Sequence, residues 1–143
     1  MRRVQRRSDC PISFALDIFG DKWTLLIIRD LMFKGKVYYG DFVHSEEKIA
    51  TNILADRLTV LERFGIVNKS RASRVKTRYT LTGKGIDLLP VLVEIILWSA
   101  KYDPQTAAEK KFIIAARKDK KKLIKRISAK IKKANSEILQ KGL

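Results

Sequence analysis

The chain has 143 residues, enough for one domain with a short extension, and its 45% hydrophobic content is typical of a globular protein and excludes general disorder. A net charge of +16, from 31 Lys and Arg against 15 Asp and Glu, predicts a polyanionic partner, most often nucleic acid. One Cys and one His exclude an intrachain disulfide and a Cys/His metal cluster, and no apolar run is long enough for a membrane span. The basic N-terminus is not a signal peptide, so we expect a cytoplasmic chain. We also expect no cofactor.

The first two helices are predicted on either side of Gly20. Cys10-Pro11 suits a helix start, because proline is favoured at an early helical position. Asp21 is a candidate N-cap for a second helix, from residue 22 to about residue 33, whose apolar residues are dense enough to make it central. The sequence Lys34-Gly35-Lys36 predicts the break after that helix.

A brief third helix and a longer fourth helix follow. Residues 39–44 form the predicted third helix, and Val37-Tyr38 before it could be a very short strand. The fourth helix is predicted from Thr51 to Phe64, with three leucines on one side and polar side chains on the other. Gly65 can adopt the left-handed conformation that ends a helix.

Two strands, residues 66–70 and 77–81, are predicted around a basic loop that runs from Arg71 to Lys76. A helix-turn-helix followed by such a hairpin is the order of a winged helix. We therefore predict a mainly α protein with a small β-hairpin, an α+β fold of the winged helix-turn-helix type. Thr82 can cap a fifth helix that reaches Trp98, and Pro90 inside it predicts a kink or two helices that meet there.

Asp103-Pro104 is the predicted boundary between a DNA-binding domain, residues 8–102, and a basic helical extension, residues 103–143. The extension carries 13 basic and 4 acidic side chains. Its apolar residues alternate three and four apart for two heptads, at Ile124, Ile127, Ile131, Ala134 and Ile138. It could be a basic helix on DNA, a second dimerisation coil, or both. We favour sequence-independent binding to DNA, because an isolated coil of two heptads is only marginally stable.

Four motifs carry a resemblance to a known family. They are Gly20-Asp21-Lys22-Trp23-Thr24, Tyr39-Gly40-Asp41-Phe42, Leu54-x-x-Arg57-Leu58-x-x-Leu61-Glu62-x-x-Gly65, and Tyr79-Thr80-Leu81-Thr82 with Gly85. With these motifs, residues 8–102 resemble the HxlR-type winged-helix transcriptional regulators of the MarR-like superfamily. The resemblance implies a homodimer, formed through the first helix and the helix from Pro90 to Tyr102, that binds double-stranded DNA.

Three departures from that pattern affect the expected DNA contacts. Tyr38 stands where many members have Arg, so a hydroxyl could replace one phosphate contact. Ala50 stands where Ser commonly caps the fourth helix, and Thr51 could take over one residue later. The hairpin is shorter and lacks the usual prolines, and the basic extension lies outside the resemblance.

The polar face of the fourth helix is the candidate recognition surface. Asparagine can pair with adenine through two hydrogen bonds, and threonine can offer a methyl to thymine or a hydroxyl to phosphate. A carboxylate near phosphates is repelled, so Asp56 is the weakest candidate and could orient an arginine instead. An ordinary solvated helix face is the alternative interpretation. The four candidates are Thr51, Asn52, Asp56 and Thr59.

Several cations are candidates for phosphate or minor-groove contacts. Those of the hairpin are Arg71, Arg74, Lys76 and Arg78, with a merely exposed charged hairpin as the alternative. Lys22 lies at a helix N-terminus, an unfavourable place for a cation unless a phosphate binds there, although it could be a simple surface lysine. Arg57 could contact phosphate or form an ion pair with Glu62 or Asp41.

Cys10 is a candidate redox or electrophile sensor, because the resemblance includes members with a sensing cysteine at this position. Arg6, Arg7 and the helix N-terminus that follows would favour the thiolate. The alternative is a buried, inert cysteine. A small-molecule effector is also conceivable from the family resemblance.

The combined prediction is a homodimeric, sequence-specific DNA-binding transcriptional regulator. An architectural protein that coats DNA with little specificity is the main alternative, and an RNA- or ribosome-associated winged helix is a second one. We do not expect an enzyme, because the sequence offers no triad, no metal set and no phosphate loop.

Overall fold

A computed structural model of the protein describes residues 6–141, so the first five residues of the basic N-terminus and the last two of the extension lie outside it. The chain divides into two compact units on either side of the Thr82–Gly83 bond, and each is described by itself. This division falls earlier than the boundary predicted at Asp103. Among the described residues, none of the helices is both long and apolar enough to cross a membrane.

The first unit contains four helices and one antiparallel hairpin within its described residues. The elements are α1 (Pro11–Phe19), α2 (Thr24–Phe33), α3 (Tyr39–Val43), α4 (Thr51–Arg63), β1 (Val67–Arg71) and β2 (Thr77–Leu81). The hairpin register pairs Val67 with Leu81 at the base and Arg71 with Thr77 near the tip. The predicted α+β winged-helix fold is confirmed, and most predicted bounds agree within one or two residues.

The buried face of α4 holds the first unit together. Leu54, Leu58 and Leu61 are at most 1% exposed, and Ile28 of α2 and Phe42 of α3 are equally buried. Burying a side chain of this size contributes about 1.5–3 kcal/mol. The three leucines recur at four- and three-residue steps, so burying them fixes which side of α4 remains in contact with solvent.

Gly65 ends α4 as the sequence predicts. Its φ of 71° is left-handed, a conformation that glycine adopts without a steric cost. Its N–H donates to the Glu62 carbonyl at 3.0 Å, and the next N–H, of Ile66, donates to the Leu61 carbonyl at 2.9 Å. These two bonds form a Schellman motif, which turns the chain directly from α4 into β1.

A short stretch before α3 pairs with the hairpin. Tyr38 forms an isolated antiparallel bridge with Arg78, and the Tyr79 N–H donates to the Val37 carbonyl at 2.8 Å. The very short strand predicted at residues 37–38 is therefore present as a single bridge. It covers the free edge of β2.

The regular elements in the described part of the second unit are all helices: α5 (Gly83–Ile86), α6 (Leu89–Tyr102), α7 (Lys110–Lys118) and α8 (Lys120–Lys141). Pro90 lies in the first turn of α6, where its missing N–H costs no helical hydrogen bond. The sequence predicted either a kink or two helices near Pro90, and the structure has two helices, α5 and α6.

The basic extension consists of two helices that meet at Asp119. The Asp119 carboxylate accepts a hydrogen bond from the Lys122 N–H at 3.1 Å and so caps the start of α8. Helix α8 packs against both α6 and α7, and its Leu123 and Ile131 are buried. An ion pair between Lys120 and Glu94 also links α8 to α6.

Candidate nucleic-acid interface

Asp21 organises the start of α2. Its Oδ1 accepts the backbone N–H groups of Trp23 and Thr24 at 2.8 and 2.9 Å, and its Oδ2 accepts the Thr24 hydroxyl at 2.5 Å. Burial alone would raise the pKa of Asp21, but these hydrogen bonds, from the Thr24 hydroxyl first, and the nearby Arg57 outweigh it and lower the pKa. The prediction that Asp21 is the N-cap was wrong, because α2 begins at Thr24 and its N-cap is Trp23. Asp21 lies two residues before that cap and still accepts the N–H groups of Trp23 and Thr24.

A phosphate was expected beside Lys22 because a helix N-terminus normally offers free N–H groups and a positive dipole end. The structure does not fit that reason. The N–H groups of Trp23 and Thr24 are already bound to Asp21, whose negative charge also satisfies the helix dipole. Lys22 is exposed, and its ammonium lies 5.2 Å from the centre of the Trp23 ring. Its contact with DNA stays a prediction that depends on its exposure alone.

The predicted recognition stripe is exposed along α4. Its members are Thr51, Asn52, Asp56 and Thr59. The N-cap of the helix is Ala50 and Thr51 is already helical, with no side-chain hydrogen bond at the cap, so the prediction that Thr51 takes over capping was wrong. The Tyr39 hydroxyl of α3 donates to the Thr51 carbonyl at 3.1 Å, which fixes the start of α4. The Thr59 hydroxyl donates within the helix to the Ala55 carbonyl at 2.9 Å.

Arg57 forms ion pairs with different partners from those predicted. Its Nε lies 3.5 Å from Asp21 Oδ1, and its Nη1 lies 3.8 Å from Asp56 Oδ2. The predicted partners, Glu62 and Asp41, were wrong: Asp41 instead accepts the backbone N–H of Tyr38 at 3.0 Å. The Nε atom is buried and makes no hydrogen bond. Arg57 therefore connects α4 to the start of α2.

A cluster of four charged side chains, Arg29, Asp30, Lys36 and Glu47, connects α2 to the segments before α3 and α4. Asp30 is 2% exposed and forms ion pairs with Arg29 at 2.8 Å and with Lys36 at 3.0 Å. Arg29 also binds Glu47 through two parallel hydrogen bonds of 2.5 and 3.0 Å. This charge cluster was missed by sequence reasoning, and it fixes the turn that delivers the chain into α4.

The charge cluster shifts the acid–base behaviour of its members. The hydrogen bonds from Arg29 lower the pKa of Glu47 from 4.5 to about 2. The same hydrogen bonds raise the pKa of Arg29 above its ordinary value. Glu47 therefore stays ionised through the whole physiological pH range.

The hairpin tip, which we call the wing, is an ordered basic turn. The Ser73 hydroxyl oxygen accepts the N–H groups of Val75 and Lys76 at 3.4 and 3.2 Å, and the Ala72 N–H donates to the Lys76 carbonyl at 3.0 Å. Three predicted wing cations, Arg71, Arg74 and Lys76, are exposed. The Lys76 ammonium also lies 4.9 Å from the centre of the half-buried Tyr38 ring, so Tyr38 supports a wing cation.

The prediction that Arg78 is an exposed wing cation was wrong. Only 6% of Arg78 is exposed, because the Tyr38 bridge lies on one side of it and Ser70 of β1 on the other. Its Nε donates to the Ser70 hydroxyl oxygen at 3.2 Å. Arg78 thus belongs to the internal support of the wing and is not available to a phosphate.

Cys10 is exposed and unpaired at the start of α1, so the alternative of a buried, inert cysteine was wrong. The two arginines expected to favour its thiolate pair with carboxylates instead, Arg6 with Asp9 at 3.1 Å and Arg7 with Asp17 at 2.8 Å. Its role as a sensor stays a prediction. Between residues 6 and 141, no group of three or more His, Cys, Asp or Glu side chains could hold a metal ion.

Together, the buried leucine face and the exposed polar stripe of α4, with a basic wing beyond it, define a winged helix-turn-helix protein. The chain belongs to the HxlR-like helix-turn-helix family, whose model matches residues 18–107. It is a transcriptional regulator with a helix-turn-helix domain. The family match ends at residue 107, so α7 and α8 lie outside the residues that it covers.

Similar proteins include a curated sequence and two solved structures. The uncharacterized HTH-type transcriptional regulator sll1512 of Synechocystis is 35% identical over 86 residues, which cover 59% of this chain and 63% of that protein, less than two thirds of its length. The reduced form of the transcriptional regulator YodB from Bacillus subtilis is 29% identical, with a TM-score of 0.56, over 69% of this chain and 99% of that one. The redox regulator HypR in its reduced form is 29% identical, with a TM-score of 0.60, over 66% and 95%.

Proposed function

We propose that the protein is a homodimeric, sequence-specific regulator of transcription that places α4 in the major groove of double-stranded DNA and the wing on the adjacent backbone or minor groove. The observation that carries the proposal is the two-sided character of α4. One side is buried in the first unit, and the other side exposes four polar side chains at the spacing of one helix face.

The chemistry of the stripe favours base recognition. Asn52 can form two hydrogen bonds with adenine, and Thr51 can contact a thymine methyl. Asp56 can accept a hydrogen bond from cytosine while it holds Arg57. The stripe itself carries no cation, so its contribution to binding depends on base edges more than on phosphate charge. This supports sequence-specific recognition over the architectural alternative, in which a cationic face would be expected.

The wing supplies the sequence-independent part of the interface. Arg71, Arg74 and Lys76 are exposed around an ordered turn, and guanidinium groups suit both phosphates and a narrow minor groove. Phosphate contacts of this kind set the position and orientation of a protein on the duplex, whereas the base contacts determine the sequence.

Exposed apolar side chains support the proposed homodimer. In α1, Ile12 is 69% exposed, and in α6, Trp98 is 67% and Tyr102 is 62% exposed. Side chains of this size are stabilised when a partner covers them. A twofold dimer would present two copies of α4 to half-sites about 34 Å apart on one face of the DNA.

An effector that acts on Cys10 is part of the proposal. YodB has been solved bound to a quinone, and HypR in an oxidized form. The exposed thiol of Cys10, at the first turn of α1, is accessible to an electrophile or oxidant. Modification there would change the surface of α1, one of the two proposed dimer helices.

Selection of binding sites from random duplexes tests the proposal. We expect one palindromic sequence, protected in footprinting as two half-sites. The variant Asn52→Ala should lose about 1–3 kcal/mol of discrimination at one base pair of each half-site. Asn68→Ala, which changes an exposed asparagine of β1, is the matched control and should keep the preference. Equal affinity for every sequence would favour the architectural alternative, and failure to bind any duplex at low salt would refute the proposal.

A further inference from the structure

Helix α8 has a face made almost entirely of cations. At 100° per residue, seven exposed basic side chains between residues 121 and 133 fall within about half of the helix circumference. They extend over about 18 Å along the helix axis. These seven, which we call the α8 basic face, are Lys121, Lys122, Lys125, Arg126, Lys130, Lys132 and Lys133.

The α8 basic face has little internal compensation. Glu137 is the one acidic residue that the sequence places within α8, a turn beyond Lys133. Across the described residues, the ion pair of α8 with a carboxylate is made by Lys120, outside this face. Seven neighbouring cations repel one another, and a polyanion that neutralised them would remove the repulsion.

The opposite side of α8 is already used within the chain. Leu123 and Ile131 are buried, and the helix packs on α6 and α7. The centre of the isoleucine stripe is therefore covered by the chain itself, which removes the main reason to expect a second dimerisation coil. It also holds the basic face in a fixed direction on the second unit.

We propose that the α8 basic face is a second DNA-binding surface, which contacts the phosphate backbone of double-stranded DNA without reading its sequence. The inference rests on the proposed function, because that function supplies the duplex on which the face acts. It assigns a role to residues that lie outside the family match. The chain would then combine base recognition by α4 with phosphate binding by α8.

Charge complementarity favours a nucleic acid backbone over an anionic membrane. A helix that lies on a membrane inserts its apolar side below the headgroups, but here Leu123 and Ile131 on that side are buried and the helix packs on α6 and α7. A regular array of phosphates requires only cations on an extended surface. Duplex DNA offers one phosphate charge per about 1.7 Å of axis, more than enough along 18 Å to match all seven cations.

The test compares two triple variants of the full chain with equal net charge. Lys122→Gln/Lys125→Gln/Lys132→Gln removes three cations of the α8 basic face. Lys34→Gln/Lys101→Gln/Lys110→Gln removes three exposed lysines elsewhere. Fluorescence anisotropy measures affinity for the selected operator and for a scrambled duplex between 50 and 200 mM salt. Circular dichroism verifies that both variants fold.

The slope of log affinity against log salt is the decisive quantity. We expect the magnitude of this slope to be about 2–3 smaller for the α8 variant than for the wild type on both duplexes. The wild-type chain would then lose roughly 40-fold more affinity than this variant over the fourfold salt range. The control variant should keep the wild-type slope. The ratio of operator to scrambled affinity should stay unchanged in both variants.

Equal slopes for the two triple variants would overturn the inference. The inference would also be overturned if the α8 variant lost binding to phosphatidylserine vesicles, or to duplex RNA, while its salt slope on DNA stayed at the wild-type value. A wild-type chain that binds both DNA duplexes equally, with the slope still lowered in the α8 variant, would instead contradict the proposed specificity and leave the inference standing.

Discussion

Replacing Glu47 by glutamine tests whether the charge cluster supports the start of the recognition helix. Glu47 accepts two hydrogen bonds from Arg29, which in turn binds the buried Asp30. Glutamine keeps the size of the side chain but removes its charge and one of the two acceptor oxygens. Glu46→Gln, at the exposed neighbouring position, is the matched control.

The pKa of Glu47 gives the magnitude. A decrease from 4.5 to about 2 corresponds to an upper limit of about 3 kcal/mol at roughly 1.4 kcal/mol per pH unit. The Glu47 side chain is 32% exposed, and solvent screens a pair at that exposure, so we expect Glu47→Gln to cost about 1–2 kcal/mol of unfolding free energy at pH 7.

The pH dependence has a defined sign. The pKa of Glu47 is lower in the folded chain, so its carboxylate stabilises the fold in full above the unfolded value of 4.5, and this contribution is lost as the pH falls toward 2. More than half of the difference between wild type and Glu47→Gln should therefore disappear by about pH 3.

Urea unfolding followed by circular dichroism, at several pH values between 7 and 3, measures this difference. Glu46→Gln should unfold like the wild type throughout. The reasoning would be refuted if the two glutamine variants were equally stable at pH 7, or if the cost of Glu47→Gln were the same at pH 3 as at pH 7.

Three further predictions concern the wing arginines, the buried Arg78 and the thiol. Arg71→Gln/Arg74→Gln should lower the affinity for every duplex sequence by a similar factor and reduce the salt slope by about 2, with no change in melting temperature; an altered sequence preference would contradict this role. Arg78→Gln, by contrast, should lower the melting temperature, because it removes a buried partner of Ser70. Native Cys10 should react with iodoacetamide about as fast as it does in urea, because it is exposed, and slow labelling followed by mass spectrometry would count against any sensing role.

Elements that depend on periodicity or on a single special residue could be predicted from the sequence. The leucine spacing of α4, the left-handed Gly65 and the division of the chain at Pro90 all appear in the structure as expected. Each depends on interactions within a few residues, and such local interactions can be predicted from local sequence patterns.

The charge cluster could not be predicted, because its members are separated in sequence by a turn and a helix. Arg29 and Glu47 meet only after α2 and α3 have packed, and no periodic pattern relates them. Arg57 shows the same difficulty: several carboxylates were within plausible reach, and tertiary packing selected Asp21.

The burial of Arg78 has a related cause. Its place in a basic stretch suggests an exposed cation, and a two-stranded hairpin alone would leave one edge of β2 open. The Tyr38 bridge closes that edge. A single bridge of this kind has no recognisable sequence pattern.

The division of the extension at Asp119 could have been predicted, because aspartate is a common capping residue. The isoleucine pattern of the extension favoured one helix instead.

The turn organised by Ser73 bears on how tightly the wing would bind DNA under the proposed function. The Ser73 hydroxyl oxygen already accepts two backbone N–H groups, so little conformational entropy would remain to be lost on contact of Arg71 and Arg74 with a duplex. Under the proposed function, Ser73 would thereby contribute to affinity through the rigidity of the loop, in addition to the charge that the arginines supply.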